Sequence, residues 1–380
     1  MSIDFDYIFL NIFVLFVFYI CGSNISKGQN YFFNSLICCI VYVFVIGSRY
    51  GRGADYLHYI DVFNYNLEKD QIAYAWFTIS LKNIGVTAYQ SFYYYAFVFI
   101  ACALYFFRKY ALYAKYIYPL FVIATINIEE TFIRQALSFA FIYIILSLFH
   151  NYQCRKDFFT KKKVISVFFV ILIIFNIHYV NILFVILFFA LVLFYHKPFP
   201  PKLSIPIYLL AVLVLGQLID LSNLDFVFSY LGSLNEKFAG YYERSDQWFS
   251  SYGMDDKYVR NPIVLGFEAC GNISLIYLGY SVIKRYYNNN PTIISIYNMY
   301  IIGAIILNTF RTLELLNRTG LFLQSFYFLP LALILYFRKK IKNLPYYKIS
   351  VLFLIWWSYD YLKYLFFAED TLFLWDINKF

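Results

Sequence analysis

Residues 164–175 read VISVFFVILIIF, and this stretch decides the architecture. Only Ser166 interrupts the apolar run, and apolar and polar residues do not alternate. LSIPIYLLAVLVL at 203–215 has the same character. A strand of a transmembrane barrel shows alternating segments of about ten residues. In hydrocarbon the backbone must satisfy its own hydrogen bonds, which leaves helices or a closed barrel. Continuous apolar runs therefore read as membrane helices.

Working outward from 164–175, comparable runs recur from end to end, each long enough to cross about 30 Å of hydrocarbon as a helix. Of the 380 residues, 62% are hydrophobic and 14% charged, with a mean hydropathy of +0.62. A soluble domain carries roughly a quarter charged residues. The expected fold is all-α and polytopic, with about 12 transmembrane helices. They are placed near 5–21, 31–48, 89–107, 111–128, 131–150, 164–177, 180–195, 203–221, 263–282, 292–310, 319–337 and 348–367. One membrane-embedded domain, 1–380, carries an outer segment at 49–88 and a long outer loop at 222–262. Residues 71–84 (QIAYAWFTISLKNI) are short and mixed, and read as an amphipathic helix at the interface. The N-terminus lacks a basic region and a small-residue cleavage site, so 5–21 reads as a retained helix.

The net charge of +9 reflects basic loops rather than a nucleic-acid surface. Alternate loops hold 18 of the 31 basic residues, from Lys27 through Arg108–Lys115, Arg155–Lys163, Lys197–Lys202 and Lys284–Arg285 to Arg338–Lys348. The positive-inside rule puts these loops in the cytoplasm and both termini outside. Seven of eleven arginines then face outward (Arg49, Arg52, Arg134, Arg244, Arg260, Arg311 and Arg318) against six of twenty lysines. A planar guanidinium grips phosphate in two places and stays charged in a low dielectric. The pattern points to a phosphate-bearing ligand; snorkelling at helix ends is the plainer alternative. Cys38, Cys39 and Cys102 sit inside apolar runs and read as small core residues, and no Cys/His spacing fits a zinc site.

Five outer segments carry the chemistry. GSRYGRGADYLHY at 47–59 places Arg49, Arg52, Asp55 and His58 around Gly51 and Gly53, a combination that can hold a diphosphate beside an acid or base. At 127–135, NIEETFIRQ interrupts an apolar stretch; Thr131 is a candidate cap for the next helix. Arg134 then enters its first turn with Glu129 and Glu130 as the nearest partners. A charge at that depth must pair or line a wet cavity. NIHYVN at 176–181 divides an apolar stretch too long for one span, which implies a recessed turn carrying His178 to a cavity. In the 222–262 loop, Tyr242, Arg244 and Trp248 offer sugar-binding faces and donors, with an interfacial aromatic belt as the alternative. Finally, Arg311, Glu314 and Arg318 share a face if that segment is helical.

These stretches resemble the Wzy-type O-antigen, capsule and exopolysaccharide polymerases, in particular the EpsG-like branch. The resemblance rests on GSRYGRGADYLHYIDVF at 47–63 and ETFIRQALSFAFIYI at 130–144, with IHYVNIL at 177–183 and LNRTGLFLQSFYFLP at 316–330 in weaker support. Ser138 is a mild departure from the usual pattern. The resemblance implies polymerisation of polyprenyl-diphosphate-linked repeat units on the outer face of the inner membrane, without metal or cofactor. It implies partners for flipping and chain length. Arg49, Arg52, Arg134, Arg311 and Arg318 would bind diphosphate, and Asp55 or His178 would activate or orient the acceptor hydroxyl. Gly51, Gly53, Glu130, Gln135 and Glu314 would support them. Rival readings are an O-antigen ligase-like enzyme, a lipid-linked sugar flippase and a membrane acyltransferase. A flippase would show paired repeats, and none is visible.

Overall fold

Asn30 accepts a hydrogen bond from the Phe33 N–H and starts α2 (Tyr31–Gly47) four residues after α1 (Phe5–Ser26) ends. The computed structural model describes residues 5–53, 55–66, 71–150, 160–216, 261–311, 314–366 and 372–373. After α2 come a short strand β1 (Arg49–Tyr50), then α3 (Tyr56–Tyr65), α4 (Ile72–Asn83) and α5 (Ala88–Phe107). Thr87 and Gln90 form a reciprocal capping box at the start of α5. A 3-10 turn, Arg108–Tyr113, leads into α6 (Ala114–Thr131), followed by α7 (Ile133–Leu148) and α8 (Lys161–His178). Beyond a 3-10 turn at Tyr179–Asn181 lie α9 (Ile182–Phe194) and α10 (Pro201–Leu210), which continues as a π-helical turn, Ala211–Leu215. The second half holds α11 (Pro262–Tyr286), α12 (Pro291–Thr309), α13 (Glu314–Gln324), α14 (Phe328–Ile341), α15 (Tyr347–Phe353), α16 (Trp356–Phe366) and β2 (Leu372–Phe373). Proline opens α10, α11 and α12, where its missing N–H has no helical acceptor to lose.

Among the described residues, six helical stretches are long and apolar enough to cross a membrane: 5–26, 88–131, 162–194, 262–286, 291–309 and 316–341. Three shorter apolar helices, 31–47, 133–148 and 201–215, accompany them. The chain is a helical membrane protein.

α1 runs antiparallel to α6, and α2 to α5, as their end-to-end contacts show. Ser26 on α1 meets Lys115 at the start of α6, while Tyr7 at the other end of α1 meets Glu130. Tyr31 on α2 bonds Leu104 O on α5, and Gly47 packs on Tyr93. Gly303 and Gly320 let α12 and α13 approach backbone to backbone, the usual membrane role of small residues. The result is a bundle with two chemically different ends. At one, the basic loops meet: Tyr113 bonds Tyr287, Lys340 lies over the Tyr286 ring, and Thr292 bonds Phe149 O. The other end holds Arg52, Glu130, Arg134 and Arg318. Cys38, Cys39 and Cys102 are buried.

The structure adds elements that hydropathy did not show. Residues 56–65 form a helix rather than an open loop. β1 and β2 pair antiparallel, with Arg49 opposite Phe373, so the all-α bundle carries one small ribbon that ties the C-terminal region to the 49–50 segment. The stretch 71–84, expected as a short helix, is helical as α4.

Candidate functional site

The site is built on the break between α6 and α7. Phe132 leaves helical geometry between Thr131 and Ile133. Thr131 is not the cap expected from sequence: it belongs to α6, and its hydroxyl bonds Asn127 Oδ1 at 3.1 Å. Instead the Arg134 N–H, in the first turn of α7, donates to the Tyr59 hydroxyl of α3 at 3.3 Å. A distant phenol thus takes the place of a local cap.

The loop after α2 covers the end of α6. Arg49 is only 2% exposed, and its guanidinium donates to Ile46 O at 2.5 Å and Glu129 O at 3.2 Å. It closes carbonyls at the ends of two helices, which is where a cation is electrostatically favoured. Gly51 and Gly53 have φ of +73° and +96°. A Cβ on Gly53 would overlap the Glu130 carbonyl oxygen, so only glycine lets the loop lie this close.

The two adjacent glutamates face different partners. Glu129 accepts from the Tyr42 hydroxyl on α2. Glu130, fully buried, accepts from Arg52 Nε at 2.5 Å, from Tyr7 at 2.9 Å and from Tyr364 at 2.6 Å. The sequence reading set Arg134 opposite these carboxylates; the structure gives Glu130 to Arg52. The Arg52 guanidinium lies between the rings of Tyr7 (3.9 Å) and Tyr364 (4.6 Å), and Nη2 donates to Tyr364 O at 3.3 Å. Burial opposes its charge, but Glu130 and the two phenols more than offset that and hold it above the ordinary arginine range.

Arg318 lies 4.6 Å over the Phe132 ring, and Arg134 lies 6.0 Å from the Tyr74 ring. Arg49, Arg52, Arg134 and Arg318 therefore all touch or belong to residues 129–134. Arg311 sits in the turn after α12, outside α13, so the single helical face expected for Arg311, Glu314 and Arg318 does not form. The Glu314 side chain, Tyr242, Arg244 and Trp248 lie outside the described residues.

A cavity of about 670 Å3 opens beside the ion pair. Gly51, Arg52 and Gly53 line one side, α6 and α13 contribute Asn127, Thr131 and Gln324, and α16 supplies Trp357, Asp360, Tyr361, Lys363 and Tyr364. Its size falls in the range of small-ligand sites, about 300–1,000 Å3. Asp55 and His178 are not among the described residues that line it. Asp55 precedes α3. His178 ends α8 with extended backbone, half-buried, its ring stacked on Tyr179. The adjoining turn packs on α7: Asn181 donates to Gln135 O at 2.8 Å, and Ser138 to Ile174 O at 3.1 Å. The α16 residues escaped the sequence reading. Trp357, Tyr361 and Tyr364 fall at i, i+4 and i+7, one helix face. That signal was hidden in a chain that is 24% aromatic throughout.

Among the described residues, no three His, Cys, Asp or Glu side chains gather as a metal site. The architecture and this site define a class: a helical membrane protein with buried arginines around a helix break at one end of its bundle. Residues 31–373 match the model of the EpsG family, and the chain belongs to that family, a Wzy-like polymerase family. No curated protein and no solved structure matches the chain.

Proposed function

We propose that this protein polymerises polyprenyl-diphosphate-linked oligosaccharide repeat units into a cell-surface glycan, with the cavity beside Arg52 on the outer face of the cytoplasmic membrane. The observation that carries the reading is Arg52 itself. A guanidinium fixed by Glu130, Tyr7 and Tyr364 on the wall of a cavity of about 670 Å3 is a preset positive charge, needing no reorganisation when a diphosphate arrives. Family membership and the basic loops gathered at the opposite end of the bundle support the same reading.

The acceptor's hydroxyl oxygen bonds the anomeric carbon of the donor sugar as the bond from that carbon to the phosphate oxygen breaks. The hydroxyl proton passes to a side chain, and the polyprenyl diphosphate leaves with its charge met by arginine. Arg52 is the principal contact, with Arg134 and Arg318 flanking it. Arg49, occupied with backbone carbonyls, sets the loop that presents Arg52. The reaction then needs neither nucleotide sugar nor metal.

The test is deletion followed by gel analysis of surface glycan, with lipid-linked intermediates extracted in parallel. Loss of the ladder with a single repeat unit retained supports polymerisation. Full-length chains accumulating on the lipid carrier would show transfer of finished chains instead, and unflipped units retained inside the cell would show transport.

A further inference from the structure

Apart from Tyr364, which holds Arg52, the face of α16 has no part in the diphosphate role, yet it lines the cavity. Trp357 and Tyr361 are each 4% exposed, and neither the Trp357 Nε1–H nor the Tyr361 hydroxyl has a hydrogen-bond partner among the described residues. Both residues line the cavity. A buried donor left unbonded costs about 1–3 kcal/mol, so a small rotation that turns either donor from the cavity wall onto a bound ligand regains that energy. Tyr327 stacks on Trp357 at 3.8 Å between ring centres, which fixes the indole before any ligand enters. Asp360 and Gln324 border the same space and add an acceptor and an amide.

The chemistry of this wall selects among ligands. A polyprenyl chain would meet Arg52, Gln324, Asp360 and Lys363, all of which would be desolvated against hydrocarbon. A bare phosphate could take the indole and phenol donors, but the Asp360 carboxylate on the same wall repels it. A sugar ring offers hydroxyls that both donate and accept, and C–H faces that lie against aromatic rings. The cavity also includes Arg52, so the sugar it accepts is the one attached to the phosphate.

We propose that the α16 face, through Trp357 and Tyr361, is the subsite for the sugar directly linked to the lipid diphosphate. The inference rests on the polymerase reading and assigns that reading its sugar-contacting wall. It also moves sugar recognition from the 222–262 loop, where the sequence alone had placed it, to the C-terminal helix.

The experiment uses the full-length protein in lipid nanodiscs and two probes. One is the polyprenyl-diphosphate-linked repeat unit extracted from cells lacking this protein; the other is polyprenyl diphosphate without sugar. Trp357→Phe and Tyr361→Phe each remove one donor and keep the ring. Each is expected to weaken the glycosylated probe about tenfold, as for one lost buried hydrogen bond, and to leave the bare probe unchanged. Equal affinity of every variant for the glycosylated probe would mean that water alone fills the space, and would overturn the subsite. Equal weakening of both probes would overturn it too, as a fault of folding. Wild-type protein that binds neither probe would instead overturn the lipid-diphosphate reading beneath it.

Discussion

Arg52 Nε lies 2.5 Å from Glu130 Oε2, across 78 residues of sequence, with Arg52 7% exposed and Glu130 not exposed at all. This ion pair joins the loop after α2 to the last turn of α6, and Tyr7 and Tyr364 bring the first and last described helices onto the same carboxylate. Four segments distant in sequence thus share one buried charge. Removing one partner of such a pair leaves the other uncompensated, at a cost of about 3–5 kcal/mol. Glu130→Ala is therefore expected to lower the melting temperature of the purified protein more than Arg52→Ala/Glu130→Ala does. The double variant should still make no polymer. Strictly additive losses in a thermal-shift series would show that the pair is not coupled.

Gly53→Ala is a sharper test of the loop than of the pair. The substitution forces a Cβ onto the Glu130 carbonyl oxygen at a φ of +96°. The backbone strain alone costs about 1–3 kcal/mol, and the overlap adds to it. Gly51→Ala meets strain without overlap, since nothing lies within 4 Å of its Cβ. Chain growth in cells should fall further for Gly53→Ala than for Gly51→Ala. The reverse order would detach the loop's close approach from function.

The parts of the site that were legible in sequence are those where charge or glycine interrupts apolar runs. Arg52, Gly53, Glu130 and Arg134 stand out because a charge at membrane depth needs a reason. What pairs with what was not legible. Arg52 reaches the backbone of Tyr364, 312 residues away, and no periodicity carries that information. The Tyr59 cap on α7 and the β1–β2 ribbon escaped for the same cause: each is set by tertiary approach, not local propensity. Tyr7, Trp357 and Tyr361 were hidden in the aromatic background. The helical, membrane-spanning character was readable because in hydrocarbon length and composition constrain it, but breaks within a run were not: the helix expected at 348–367 is two short helices, α15 and α16.

Arginine identity, beyond charge, is at issue for Arg134. It sits in the first turn of α7 beside the Phe132 break that Arg318 also covers. Arg134→Lys keeps a cation but loses the planar fork suited to phosphate. The variant should fold, insert and express normally while polymer length drops by at least about tenfold in yield of long chains, the scale of one charge-assisted hydrogen bond. Polymer of unchanged length and amount would remove Arg134 from the site.

Which group takes the acceptor proton separates three candidates. Asp55 and His178 were read from sequence, whereas Asp360 lines the cavity with Arg52. General-base catalysis is typically worth about 10²–10⁴ in rate. Asp360→Asn keeps an acceptor oxygen toward the sugar, so it is expected to slow in vitro chain extension by that order while binding of the lipid-linked unit changes far less. Asp55→Asn and His178→Gln should each cost less than about tenfold. A rate collapse in either of those two, with Asp360→Asn near wild type, would return the base to the sequence-derived choice.

The proposed activity requires the arginine end of the bundle to face away from the cytoplasm, and the structure supplies positions to test it. His58, on α3, is exposed near Tyr59 and the α7 start, at the arginine end. Gln29 and Lys339 are exposed at the opposite end, beside the basic loops. The lysine-rich end is favoured inside because cytoplasmic loops retain basic residues during insertion. Single cysteines at these positions, in a background with native cysteines replaced, should divide cleanly on spheroplasts treated with a membrane-impermeant maleimide. His58→Cys is expected to label, and Gln29→Cys and Lys339→Cys only after the membrane is opened. Labelling in the opposite sense would put the cavity in the cytoplasm, where nucleotide-sugar donors are available and a lipid-diphosphate donor displayed outside is not.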